Sequence, residues 1–161
     1  MRVNNWRINK VMCSRILCLL IIINIFFIFT GCENKGYKGK HYNITSYNDF
    51  IKALDDRGYT ANESKLNKDE VSESLFSVNA RNINIGGETI SIYEFKKSET
   101  AKSEASTISK DGNSIGDKKI SWNGTPHFFQ KGNLIVSYIG SNRTLFFDLS
   151  MILGNSLTER Q

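Results

Sequence analysis

Cysteine is almost missing beyond the first 31 residues. Of the three in the chain, Cys13 and Cys18 precede that point and only Cys32 follows it. An intramolecular disulfide needs two, so the folded part must hold together without one. Histidine is equally scarce, with His41 and His127 the only pair. A structural zinc site wants four Cys or His ligands at close spacing, and nothing here offers them. There is no glycine-rich phosphate-binding loop of either standard pattern and no nucleophile-elbow sequence. Acidic residues are absent from positions 1–31 altogether, while Arg2, Arg7, Lys10 and Arg15 lie there.

That last absence changes the meaning of the charge. The whole chain carries +5, with 21 basic and 16 acidic residues. Setting aside the four basic residues of the first 31 leaves 17 against 16, a net of +1. The basic character belongs to the N-terminal segment, so a nucleic-acid partner loses its electrostatic argument. At 161 residues the chain has room for one domain plus a targeting segment.

The N-terminal segment has the order of an export signal. A basic segment of fifteen residues leads into an apolar run at 16–29 (ILCLLIIINIFFIF), broken only by Asn24, and then come the small residues Thr30 and Gly31. A charged n-region, a short h-region and a small-residue cleavage site follow one another as in a signal peptide. The positive end stays on the cytoplasmic side. Fourteen residues are short for a permanent span, which takes about 20. Phe29-Thr30-Gly31-Cys32 resembles the lipobox of bacterial prolipoproteins, with Phe29 where Leu is commonest. The resemblance implies diacylglycerol in thioether linkage to the Cys32 sulfur and cleavage between Gly31 and Cys32. Two acyl chains anchor stably where one is marginal, at about 0.8 kcal/mol per buried CH₂. The competing reading is an uncleaved N-terminal helix with an incidental cysteine. Both put the remainder outside the cytoplasm.

Residues 33–45 (ENKGYKGKHYNIT) are polar and aperiodic, so 32–45 reads as a flexible tether whose lysines face solvent or anionic headgroups. A single domain is expected at 46–154, followed by a polar tail at 155–161. Ser46 and Asp49 form a capping box for a helix at 46–57, with Tyr47, Phe50, Ile51 and Leu54 on one face and Gly58 as the stop. A short strand is expected near Tyr59, in an otherwise loop-like 60–74.

Residues 81–95 (RNINIGGETISIYEF) give the clearest strand signal. A two-residue turn at Gly86-Gly87 sets Ile85 opposite Glu88 and Ile83 opposite Ile90. Phe76 and Val78 have the other parity, so a break must separate them from this strand. Ser98 is expected to cap a second helix with an Ala101, Ala105, Ile108 stripe that ends at Gly112. Ile120 and Trp122 suit a strand, 127–139 suits a hairpin around Lys131-Gly132, and 134–136 reads as a central strand. Ser141 is expected to cap a last helix that buries Leu145, Phe146, Leu149, Ile152 and Leu153 and stops at Gly154. The resulting fold class is α+β, in the order α-β-β-α-β-β-α. Two hairpin-plus-helix units form a small antiparallel sheet with the helices on one face.

The stretches 109–116 (SKDGNSIG), 120–122 (ISW), 126–128 (PHF) and 134–136 (LIV) resemble a set of small lipoproteins of low-GC Gram-positive bacteria. The resemblance covers most of 46–154. It implies a place on the outer face of the cell membrane and no particular activity.

The candidate interaction surface gathers polar and aromatic residues from loop-rich sequence: Asp111, Asn113, Trp122, His127 and Phe128. Aromatics in such settings anchor partners, and Trp122 and Phe128 are equally suited to a core. Asp111 to Gly116 faintly resembles a calcium loop. Ile115 stands where an oxygen ligand belongs and Trp122 where the bidentate Glu belongs, so a Gly-rich turn is the better reading. The expected activity is non-enzymatic binding of a protein, peptidoglycan or small molecule, with no cofactor. The alternatives are a cell-surface enzyme using His127 with Asp111, and an inhibitor or immunity-type lipoprotein.

Overall fold

Ser46 adopts extended backbone (φ −143°) and ends the preceding chain as the cap of the first helix, α1 (Tyr47–Asp55). Its hydroxyl accepts from the Asp49 backbone N–H at 3.3 Å, and the Asp49 carboxylate accepts from the Ser46 N–H at 3.0 Å. Two otherwise orphaned donors are thereby satisfied. The Thr45 N–H and hydroxyl reach the same carboxylate oxygen, at 3.0 and 2.7 Å. These details come from a computed structural model that describes residues 41–64 and 74–158. Residues 1–31, Cys32, most of the tether, 65–73 and 159–161 lie outside the described residues. Among those described, no helix is long and apolar enough to cross a membrane.

Among the described residues seven strands follow in two sheets. They are β1 (Asn62–Glu63), β2 (Ala80–Ile85), β3 (Glu88–Glu94), β4 (Ser114–Ile115), β5 (Lys118–Lys119), β6 (Pro126–Lys131) and β7 (Leu134–Ile139). Helix α2 (Ser98–Ala105) lies between β3 and β4, and α3 (Arg143–Leu153) follows β7. The main sheet has the order β1-β2-β3-β7-β6, and every neighbouring pair is antiparallel. The β2–β3 hairpin turns at Gly86 and Gly87, both at positive φ, with Ile85 opposite Glu88 and Ile83 opposite Ile90 as the alternation requires. The α+β class and the order of its main elements are those expected, with the β4–β5 ribbon added.

Side-chain alternation sorts the strands onto two cores. On the first face Ile83, Ile85, Ile90, Ile92, Phe129, Val136 and Tyr138 meet Phe50, Ala53 and Leu54 of α1 and Leu145, Leu149, Ile152 and Leu153 of α3. On the second face Tyr93, Phe128 and Ile135 meet Phe76, Phe95 and Ile115, together with Ala101 and Ala105 of α2. The helices therefore divide between both faces instead of sharing one. The physical reason is parity. Tyr93, Phe128 and Ile135 are large and apolar but point away from the isoleucines, and they need a cover of their own.

Several boundaries move. The tether ends early, because Tyr42 (9% exposed) and Ile44 (3%) join the first core. A Cβ on Gly132 would sit 2.3 Å from the Ile44 carbonyl oxygen, so the hairpin glycine is what lets this segment lie against the sheet. Lys131 pairs with Leu134, which makes the turn Gly132-Asn133, one residue later than expected. Ser98 is the first helical residue of α2, and Lys97 caps it without a side-chain bond. The helix stops at Ala105, well before Gly112; the Ser106 and Thr107 hydroxyls bond back to the Ser103 and Glu104 carbonyls. Asn142, not Ser141, caps α3, its Oδ1 accepting from the Leu145 N–H at 3.1 Å. The early strand is Asn62–Glu63 rather than a strand at Tyr59.

Nor are Ile120 and Trp122 in a strand; they belong to a loop. The polar tail is docked as well. The Leu157 N–H donates to the Phe128 carbonyl at 2.7 Å and the Thr158 hydroxyl donates to that of Pro126 at 2.9 Å. β6 is an edge strand, and these bonds occupy backbone acceptors that would otherwise be open to another chain.

Candidate functional site

The turn after α2 is fixed by a network of short polar bonds. The Ser109 hydroxyl donates to Asp111 Oδ1 at 2.6 Å, and the Asn113 backbone N–H reaches the same oxygen at 3.1 Å. Asn113 Nδ2 donates to Asp111 Oδ2 at 3.1 Å. Every partner favours the ionised carboxylate. The Ser109 hydroxyl foremost, then the Asn113 N–H, holds the Asp111 carboxyl below the usual range. Gly112 sits at φ +71°, where a Cβ would meet Pro126 Cγ at 2.8 Å and Thr158 Cγ2 at 3.0 Å. Only glycine lets the turn lie this close to the edge of β6 and the docked tail.

Trp122 closes the arrangement from the next loop. Its Nε1–H donates to the Gly112 carbonyl at 2.8 Å, and its ring packs on Phe128 with centroids 5.9 Å apart. The indole is thus held at its polar edge and on one flank. Asp111, Asn113, Lys119, Trp122, Thr125 and Pro126 line an open cleft of about 740 Å³ on this side.

His127 goes elsewhere. It is one residue before Phe128 on β6, so its ring emerges on the opposite face, stacked on Tyr138 (5.6 Å, 20°) and against Phe146 (4.6 Å). Nε2 lies 3.2 Å from the Gly140 carbonyl; a carbonyl oxygen only accepts, so that nitrogen carries the proton. The imidazole is 7% exposed and borders a second cleft of about 550 Å³, with Arg143, Phe146 and Phe147. Of the five residues expected on one surface, Asp111, Asn113 and Trp122 come together, His127 lies across the sheet, and Phe128 is fully buried as the support of Trp122. Asp111 spends its carboxylate on Ser109 and Asn113 and makes no bond to His127. Among the described residues no group of three or more His, Cys, Asp or Glu could hold a metal ion.

Two features escaped the sequence reading. Phe147 is 57% exposed beside the His127 cleft, on the side of α3 away from its buried stripe, and the sequence reading gives it no role. The second is a half-buried ion pair: Arg57, just past the end of α1, pairs with Asp148 of α3, and the Tyr59 hydroxyl donates to the same carboxylate at 2.5 Å. Burial, and then this bond to Asp148, pushes the Tyr59 phenol up to about 12. Residues 91 apart in the chain meet here, and no local pattern announces such a contact.

No known protein family, curated protein or solved structure matches the chain.

Proposed function

We propose that the chain is an extracytoplasmic lipoprotein, freed of residues 1–31 and held on the outer face of the membrane by diacylglycerol on Cys32. Its folded domain acts there as a non-enzymatic binding module whose ligand site is the Asp111–Trp122 cleft. The observation that carries the binding reading is the built cleft. A side-chain indole is fixed at one wall and a three-bonded carboxylate at another. The enzyme reading needs His127 beside Asp111, and the two open into different clefts.

Support for the anchor comes from the sequence order of charged, apolar and small residues before Cys32, and from chain length. Tyr42 is the first buried residue described. The stretch from Cys32 to Tyr42 spans at most about 35 Å when extended, enough for the domain to stand clear of headgroups.

Labelling cells with tritiated palmitate tests the anchor. Wild-type chain is expected to take up label and partition with membranes, whereas Cys32→Ala takes up none and migrates as the uncut precursor. Label retained by Cys32→Ala overturns the lipoprotein reading. Affinity capture from detergent-solubilised membranes tests the binding role, with Trp122→Phe as the control. A protein partner captured by both forms alike would instead favour an inhibitor or immunity-type role.

A further inference from the structure

We infer that the Asp111–Trp122 cleft takes a neutral oligosaccharide, a chain of hexopyranose rings, and not a charged or strongly apolar ligand; this rests on the binding-module reading above. Sugar rings present an apolar C–H face and an equatorial belt of hydroxyls. Recognition therefore wants a flat aromatic surface beside groups that both donate and accept. The cleft offers that combination. Trp122 lines it with its indole N–H already committed to Gly112, so the ring contributes surface instead of a free donor.

Asp111, Asn113 and Thr125 line the same cleft. Asp111 is held ionised by its neighbours, and a carboxylate has lone pairs beyond the bonds it makes, enough to accept from sugar hydroxyls. Lys119 at the rim balances its charge, so the lining is neutral in sum and selects neither an anion nor a cation. The cleft is shallow and open, a shape that suits a chain laid across it more than a small molecule enclosed within it. Its walls are also fixed in advance. The Asp111–Asn113 turn and the Trp122–Gly112 bond leave little to order on binding, which matters for a ligand whose contacts are weak.

The test uses the full chain in detergent micelles, titrated with chitotetraose and, separately, with an uncharged tetrapeptide. Trp122 emission is isolated by subtracting the signal of the Trp122→Phe variant. Saturable change with chitotetraose is expected, with affinity lowered about tenfold by Asn113→Ala, measured where circular dichroism shows both forms fully folded. Trp122→Tyr, which keeps an aromatic face, should retain part of the affinity when followed by calorimetry. No saturation with chitotetraose by about 10 mM, beyond the range of specific binding, overturns the saccharide assignment. So does saturation that Asn113→Ala leaves unchanged. Saturation by the peptide alone overturns it too, yet leaves the cleft a binding site. Failure of both probes overturns the saccharide assignment and leaves the binding role to the membrane capture experiment.

Discussion

The two faces of the sheet share strands but are closed in opposite ways. Among the described residues the first face gathers eighteen buried side chains, mostly aliphatic, beneath two helices and the end of the tether. The second gathers eight, half of them aromatic, beneath a single short helix that contributes only Ala101 and Ala105. Small residues let α2 sit close but give it little area to bury. The rest of the cover comes from Phe76, Trp122 and the 109–126 loops, whose rings meet edge-on or tilted. The face closed by helices opens at its margin, beside His127 and the first turn of α3. A face closed by loops keeps a cleft where the cover runs out, and that is where Asp111, Asn113 and Trp122 converge.

The sharpest way to break this comparison uses neighbours on β6. Phe129→Ala and Phe128→Ala each remove a fully buried ring, and each should cost about 3–5 kcal/mol, read as a lowered urea midpoint. Only Phe128→Ala should alter Trp122 emission in the folded protein, because only that ring touches the indole. Equal shifts from both variants would mean that the cores are not separated by the sheet.

A smaller effect tests how tightly the thin cover fits. Ala101 is wholly buried, so Ala101→Leu should overpack the second face and cost about 1–3 kcal/mol in denaturant unfolding. An unchanged midpoint would show that α2 is not seated against the sheet.

The smallest effect appears in alkali. Burial foremost, opposed by a bond to Ser137, pushes the Tyr93 phenol up to about 12; Tyr59 on the first-face side reaches about 12 as well. In the unfolded chain a tyrosine titrates near 10. The folded-state values are raised, so their contribution is complete below about pH 10 and is lost as pH climbs toward 12. Tyr93→Phe should flatten this alkaline slope more than Tyr59→Phe, since water screens the less buried Tyr59. The reverse order, measured by urea unfolding between pH 9 and 11, would place the greater burial on the wrong face.

Much of this fold is legible before any coordinates. The capping box at Ser46 and Asp49, the Gly86-Gly87 turn and the four-isoleucine face each depend on residues a few positions apart. Where two neighbouring residues were both competent, the choice fell to geometry at a distance. Asn142 outcompeted Ser141 as cap, aided by the Tyr138 hydroxyl, which accepts from the Asn142 N–H at 2.8 Å. The candidate site was half legible. Asp111, Asn113 and Trp122 cluster because one turn and one loop meet over Phe128, whereas His127 was separated from them by strand alternation that its sequence context also contains. Reading 126–131 as a strand with parity would have set His127 with Phe129 and apart from Phe128.

Backbone preference and residue alternation are properties of short stretches, so the order of elements, the hairpin register and the caps follow from the chain's own succession of residues. Which side of the sheet each helix covers does not. That outcome depends on how much apolar area each face exposes and on what can approach it, sums taken over residues far apart in sequence. The burial of Tyr42 and Ile44, the docking of Thr158 on β6 and the pairing of Arg57 with Asp148 are of this second kind. They arise only when distant segments compete for the same surface, and the Trp122 cleft is a part of that surface that no described segment fills.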